Sequence, residues 1–168
     1  MLLLLLAATL TGAAYALVFP MSLTDRILAS EAIILARVVG VADRAPSDIV
    51  AEIGQLHSSS KPEEARILRS RVPRMVATVQ VLERLKGRNS IPRTVKVLYG
   101  IQSEVPAKKP LFAGSRVLLY LKAHAAAGSW AVVNWPYGAV GCPGESQLDD
   151  GSTLDQVRAL IAELCPLR

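Results

Sequence analysis

Two cysteines and two histidines are the residues of this chain best suited to covalent or metal chemistry. Cys142 stands in Gly141-Cys142-Pro143-Gly144, and Cys165 lies close to the end of the sequence. A thiol nucleophile needs a base beside it. The candidates, His57 and His124, both lie upstream of Cys142 at spacings that form no thiol-enzyme signature. A zinc site needs four ligands at short, paired spacings, and two Cys and two His scattered through 168 residues do not supply them. The cysteines are therefore expected to form a single bridge, Cys142–Cys165, worth roughly 3 kcal/mol through the loop it closes in the unfolded chain. The acids Glu145, Asp149 and Asp150 match no calcium-loop pattern, and Asp149-Asp150-Gly151 reads as a turn ahead of a capped helix. No catalytic, cofactor-binding or metal site is expected, and no cofactor.

Positive charge is the other chemical resource. The net charge is +5, yet residues 61–96 alone hold ten basic side chains against three acids. Arg66, Arg69, Arg71, Arg74, Arg84, Lys86 and Arg88 form a candidate anion-binding patch that could hold an anionic envelope polymer through long-range attraction and counterion release; a solvated basic face is the rival reading. Nucleic acid is the weakest partner, because OB-type binding of single strands needs aromatic stacking platforms. Alternation leaves two candidate surface rings, Tyr120 and Trp130, while Tyr99 and Trp135 fall with the valines of the core. The loop from Trp135 to Glu145 concentrates aromatics, Pro and Gly, which suits either a recognition loop or a turn pinned by the expected bridge.

The elements that must position these residues begin after a leader. Residues 1–24 carry no charge and open with five leucines in residues 2–6, the composition of a secretory apolar region. Ala14-Tyr15-Ala16 fits the small-x-small requirement of signal peptidase, so residues 1–16 read as a signal peptide that leaves Leu17 as the new terminus. No basic residue precedes the leucines, and the uncharged run is long enough to cross a bilayer, so an uncleaved signal anchor extending to about residue 24 is the competing reading. Either way the body, residues 17–168, is expected outside the cytosol, exported to the periplasm or secreted, with membrane contact only through the N-terminal segment.

In that body Ser22 with Asp25 three residues on opens a short helix. Residues 33–42 are rich in β-branched side chains and read as a largely buried strand, with Ile33, Leu35, Val39 and Val41 on one face and Ile34, Ala36 and Val38 on the other. Residues 43–72 form a helical insertion, with caps at Ala45-Pro46-Ser47-Asp48 and Ser60-Lys61-Pro62-Glu63. Period-two patterns then mark strands at Met75 to Arg84, Thr94 to Tyr99, Arg116 to Lys122 and Trp130 to Trp135. Thr153 with Gln156 caps a last helix carrying Leu154, Val157, Leu160, Ile161 and Leu164 on one stripe. Five strands with helices at the ends and one insertion predict a mainly β, α+β fold, a five-stranded OB-like barrel flanked by helices.

Residues 29–39 (ASEAIILARVV), 77–87 (ATVQVLERLKG), 95–97 (VKV) and 112–121 (FAGSRVLLYL) together resemble the barrel of the tissue inhibitor of metalloproteinases-like group, which includes many exported bacterial proteins. The resemblance implies the OB-like fold. In the inhibitors an N-terminal cysteine chelates the zinc of the target, whereas here no cysteine precedes Cys142, so the inhibitory residues do not carry over. The expected function is a non-enzymatic, exported OB-like domain that binds a protein or an envelope component. The alternatives are a protease-inhibitor-like protein and a small exported thiol enzyme using Cys142.

Overall fold

The computed structural model of the chain describes residues 21–59, 72–87, 91–100, 111–125 and 128–166. The leader with Ala14 and Ala16, the second capping box at Ser60, and Arg66, Arg69, Arg71 and Arg88 lie outside the described residues. The elements are α1 (Leu23–Ala29), β1 (Ala32–Asp43), α2 (Pro46–Ser59), β2 (Met75–Lys86), β3 (Thr94–Tyr99), β4 (Arg116–Ala123), β5 (Ser129–Val132), β6 (Ala139–Gly141) and α3 (Leu154–Leu164).

Period-two hydrophobicity makes the strands, and their pairing closes them into a barrel. The ladder runs β1-β2-β3-β5-β4, and β4 pairs back on β1. β3–β5 is parallel, whereas the other pairs are antiparallel. This is the OB-like barrel expected from the sequence. Its interior holds Ile34, Ala36, Val38, Ala77, Val79, Val95, Val97, Val117, Leu119 and Leu121, closed by the tilted ring pair Tyr99–Trp135 with centroids 4.8 Å apart.

A second apolar cluster lies on the outside of β1 and β4. Ile33 and Leu35 of β1 and Leu118 and Tyr120 of β4 meet Ile27 of α1, Val140 of β6, and Leu154, Val157 and Ile161 of α3. Burying each large aliphatic side chain here contributes about 1.5–3 kcal/mol, so this packing fixes both helices on the barrel. The helix starts are set by their caps. Ser22 Oγ accepts from the Asp25 amide at 3.1 Å, and Thr153 and Gln156 exchange side-chain and backbone bonds at 3.2 and 2.8 Å.

Several sequence expectations need correction. β1 is buried on both faces only in its first half; bulges between Leu35 and Ala36 and between Val38 and Gly40 reset its alternation. Val39 is therefore left 59% exposed instead of joining Ile33 and Leu35. Tyr120 is not a surface ring but wholly buried, because α1, β6 and α3 cover the outer face of β4 that alternation alone makes wet. Trp130 is half-buried and packs against the barrel interior. Residues 130–135 do not run on as one strand, since β5 stops at Val132 and a turn places Trp135 in the core. Beyond that turn the three residues of β6 pair with β4 outside the closed barrel; an Ala-Val-Gly run is too short to show a period.

The cysteines are a further correction, since both are free thiols. They share the outer apolar cluster. Cys142 is buried with Sγ 3.5 Å from the Gly144 carbonyl, and the Cys165 amide caps α3 by donating to Ile161 O at 2.9 Å. The segment between them needs no staple. Asp149 N donates to Gly141 O, Leu148 N to Ser152 O and Leu154 N to Ser146 O, each at 2.9–3.0 Å, so its backbone is already satisfied.

Candidate binding cleft

The β1–β2 connection begins with Arg44, whose charge is taken out of water as the chain leaves β1. The residue is 8% exposed. Its Nη1 donates to the Pro73 carbonyl at 3.0 Å, its amide donates to Arg74 O at 2.8 Å, and its Nη2 meets Glu52 Oε2 at 2.8 Å. Glu52 comes from α2, one turn after Asp48. Its other oxygen, Oε1, is 3.2 Å from Nε2 of His124, the residue that follows β4. A carboxylate only accepts, so Nε2 is the ring nitrogen that carries the hydrogen in this contact. Glu52 thus bridges two barrel-borne groups that lie far apart in sequence.

Between α2 and the barrel these residues border a cavity of about 370 Å³. Its floor includes Val76 of β2, Lys96 and Leu98 of β3, and Ser129 of β5; its walls come from Asp43, Asp48, Ala51 and Gln55 on one side and from His124 and Ala125 on the other. Leu98 stands opposite Val76 across β2–β3 and opposite Ala131 across β3–β5, and Lys96 stands opposite Ser129. The cleft is therefore bounded by the β1–β2 and β4–β5 connections over the strands between them. Asp43, Asp48 and Lys96 make no side-chain hydrogen bond or ion pair among the described residues, so both charge signs are free at its rim.

The sequence-selected residues fall elsewhere. Of the expected basic patch, Arg74, Arg84 and Lys86 are described. Arg84 donates to the Ile91 carbonyl. Lys86 Nζ donates at 2.7 Å to both Ile27 O and Ser30 O, so its ammonium serves the C-terminal end of α1 instead of an external anion. Cys142 is distant in role from His124, which is engaged by Glu52, and burial, ahead of the opposing pull of Arg116, pushes its thiol above the ordinary value. Asp150 pairs with Arg26 at 2.7 Å. Among the described residues no group of three His, Cys, Asp or Glu side chains could hold a metal ion, and no helix is long and apolar enough to cross a membrane.

Arg44 and Glu52 were not legible as functional residues, because only barrel closure brings 44, 52 and 124 together; His124 stood out in the sequence solely as a base for Cys142. No protein-family model and no curated protein sequence matches this chain.

Proposed function

We propose that this chain is a non-enzymatic, exported OB-like binding domain that engages a protein or an envelope component through the cleft under α2. The observation that carries this reading is the position of the cleft. OB folds bind their ligands over the second and third strands, between the β1–β2 and β4–β5 connections, and the 370 Å³ cavity lies there with unpaired charges of both signs at its rim. The cavity sets the apolar Val76 and Leu98 among charged and polar groups that can orient a ligand. Export rests on the uncharged, leucine-rich leader and its Ala14-Tyr15-Ala16 motif.

The test is site-specific photocrosslinking in an exporting host, with a photoreactive residue at position 96 in the cleft and a control at position 163 on α3. A discrete adduct from position 96 that is absent from position 163 is the expected result. Identical products from both sites, or turnover of a substrate lost on changing one residue, would overturn the reading.

A further inference from the structure

Among the described residues Glu52 is the α2 side chain tied by charge to both walls of the cleft, and little of the helix that carries it is buried. Ile49 is its only buried hydrophobic side chain among those described, and Val50 is 68% exposed. The receiving groups, by contrast, are firmly built. The Arg44 side chain is 6% exposed and that of His124 14%, and Arg44 is anchored through both its backbone and Nη1 to the segment entering β2. A guanidinium this buried requires an anion beside it. The barrel thus carries a preformed site for one carboxylate, with a cation on one oxygen and an imidazole N–H on the other, and it is filled by a helix that buries one large aliphatic side chain among those described.

We propose that Arg44 and His124 are a carboxylate receptor, that Glu52 occupies it in cis, and that the partner of this cleft is an amphipathic peptide segment whose single acidic residue takes the place of Glu52. The inference rests on the cleft being the binding surface. Asp43 and Asp48 at the rim repel a run of acids, so the fitting segment sets one carboxylate among aliphatic residues, as the stretch of α2 that follows Asp48 does with Ile49, Glu52, Ile53 and Leu56. The overall charge of +5 favours the approach of such an acidic partner.

The experiment is calorimetric titration of the full chain, wild type and Glu52→Gln, with two synthetic peptides copying residues 46–59 with Asn in place of Asp48, one carrying Glu and one Gln at position 52. The variant is expected to bind the Glu peptide about tenfold more tightly than the Gln peptide, and wild type to bind the Glu peptide about tenfold more weakly than the variant does, because its own Glu52 competes. Equal affinities for the two peptides, or no binding to the folded variant, overturn the receptor. If Glu52→Gln does not fold, His124→Ala, which removes the ring donor and keeps the Arg44–Glu52 pair, is compared with wild type by hydrogen exchange. The α2 amides are expected to exchange about fivefold faster with the β1–β4 amides unchanged, and an unchanged α2 overturns the proposal. A partner crosslinked at position 96 whose capture is indifferent to Glu52→Gln would overturn the receptor while leaving the binding face standing.

Discussion

The Arg26 guanidinium lies 5.0 Å from the centroid of the Tyr120 ring, so the helix that starts the described chain sits its charge on an aromatic face at the middle of β4. The same guanidinium donates to Asp150 Oδ2 at 2.7 Å and to the Tyr137 carbonyl at 3.0 Å. One side chain from α1 therefore joins the barrel wall, the turn after β5 and the turn before α3. Removing Asp150 leaves the Arg26 charge buried without its anion. Asp150→Asn is expected to lose about 1–2 kcal/mol in urea unfolding, below the cost for a fully buried pair because the carboxylate is partly in water. The pH dependence follows from the same contacts. Burial alone would raise the Asp150 carboxyl, but hydrogen bonds from Ser152 and Arg26 outweigh it and hold the group below its ordinary value. A depressed acid stabilises the fold above its unfolded-state value, and that contribution is lost as pH falls through the folded one. Wild type should thus lose its advantage over Asp150→Asn on acidification below about pH 4.

Tyr120 gives the opposite sign at the alkaline end. Its hydroxyl is buried with no hydrogen-bond partner among the described residues, and burial, partly offset by Arg26 and assisted by Asp150, pushes its phenol up to about 12. The unfolded chain ionises first, so stability is full below pH of about 10 and falls toward 12. Tyr120→Phe keeps the ring under Arg26 and deletes the orphaned hydroxyl. Its stability at neutral pH should stay within about 1 kcal/mol of wild type, or above it, and its loss of stability between pH 10 and 12 should be smaller than that of wild type.

The contrast between these residues and the cleft shows what was readable in advance. Strand spacing and two cap motifs were enough for the barrel and for α3, because Val95, Val97, Val117 and Leu119 alternate locally and Thr153 meets Gln156 within one turn. Tyr120 was misplaced for the same local reason: alternation reports which face of β4 it occupies, not that α1, β6 and α3 cover that face. The bulges that expose Val39 leave no mark in composition. Arg44, Glu52 and His124 are ordinary polar residues in a turn, a helix and a strand end, and only the closing of β1 on β4 brings them together.

Lys86, the last residue of β2, and Gly87, which follows it, have a sharper role in the structure than their place at a strand end. The Lys86 ammonium satisfies two carbonyls at the end of α1, and Gly87 has φ of 118° with its missing Cβ position 3.0 Å from the Ala32 Cβ. Lys86→Met should cost about 1–2 kcal/mol, and Gly87→Ala a similar amount from backbone strain and crowding. Both are measured by denaturant titration, and both should leave the cleft peptide affinities unchanged.

Free, unequal thiols are a further consequence. With no reductant present, unfolded protein should titrate two thiols and Tm should be insensitive to reducing agent. In the native state Cys165, half-buried at the end of α3, should react first, and Cys142, buried with a raised thiol, about tenfold more slowly or less. No titratable thiol in the unfolded, unreduced protein would restore the bridge in place of this arrangement.

Two glycines beside β4 separate backbone collisions from side-chain ones. A Cβ on Gly138 would run into the backbone carbonyl oxygen of Val133. That carbonyl cannot retreat freely, since the Val133 amide donates to Tyr120 O at 2.8 Å while Tyr120 N donates back to Gly138 O at 2.9 Å. A Cβ on Gly141 would instead meet the carboxylate of Asp149, an exposed residue whose side chain can rotate into water. Gly138→Ala is therefore expected to cost about 3 kcal/mol or more, and Gly141→Ala about 1 kcal/mol. Adding Asp149→Ala should recover most of the loss at position 141 and none at 138. Thermal unfolding of the four variants decides it: equal losses at the two glycines, or no recovery at 141, would mean that β6 is not held against β4 by the backbone of this turn.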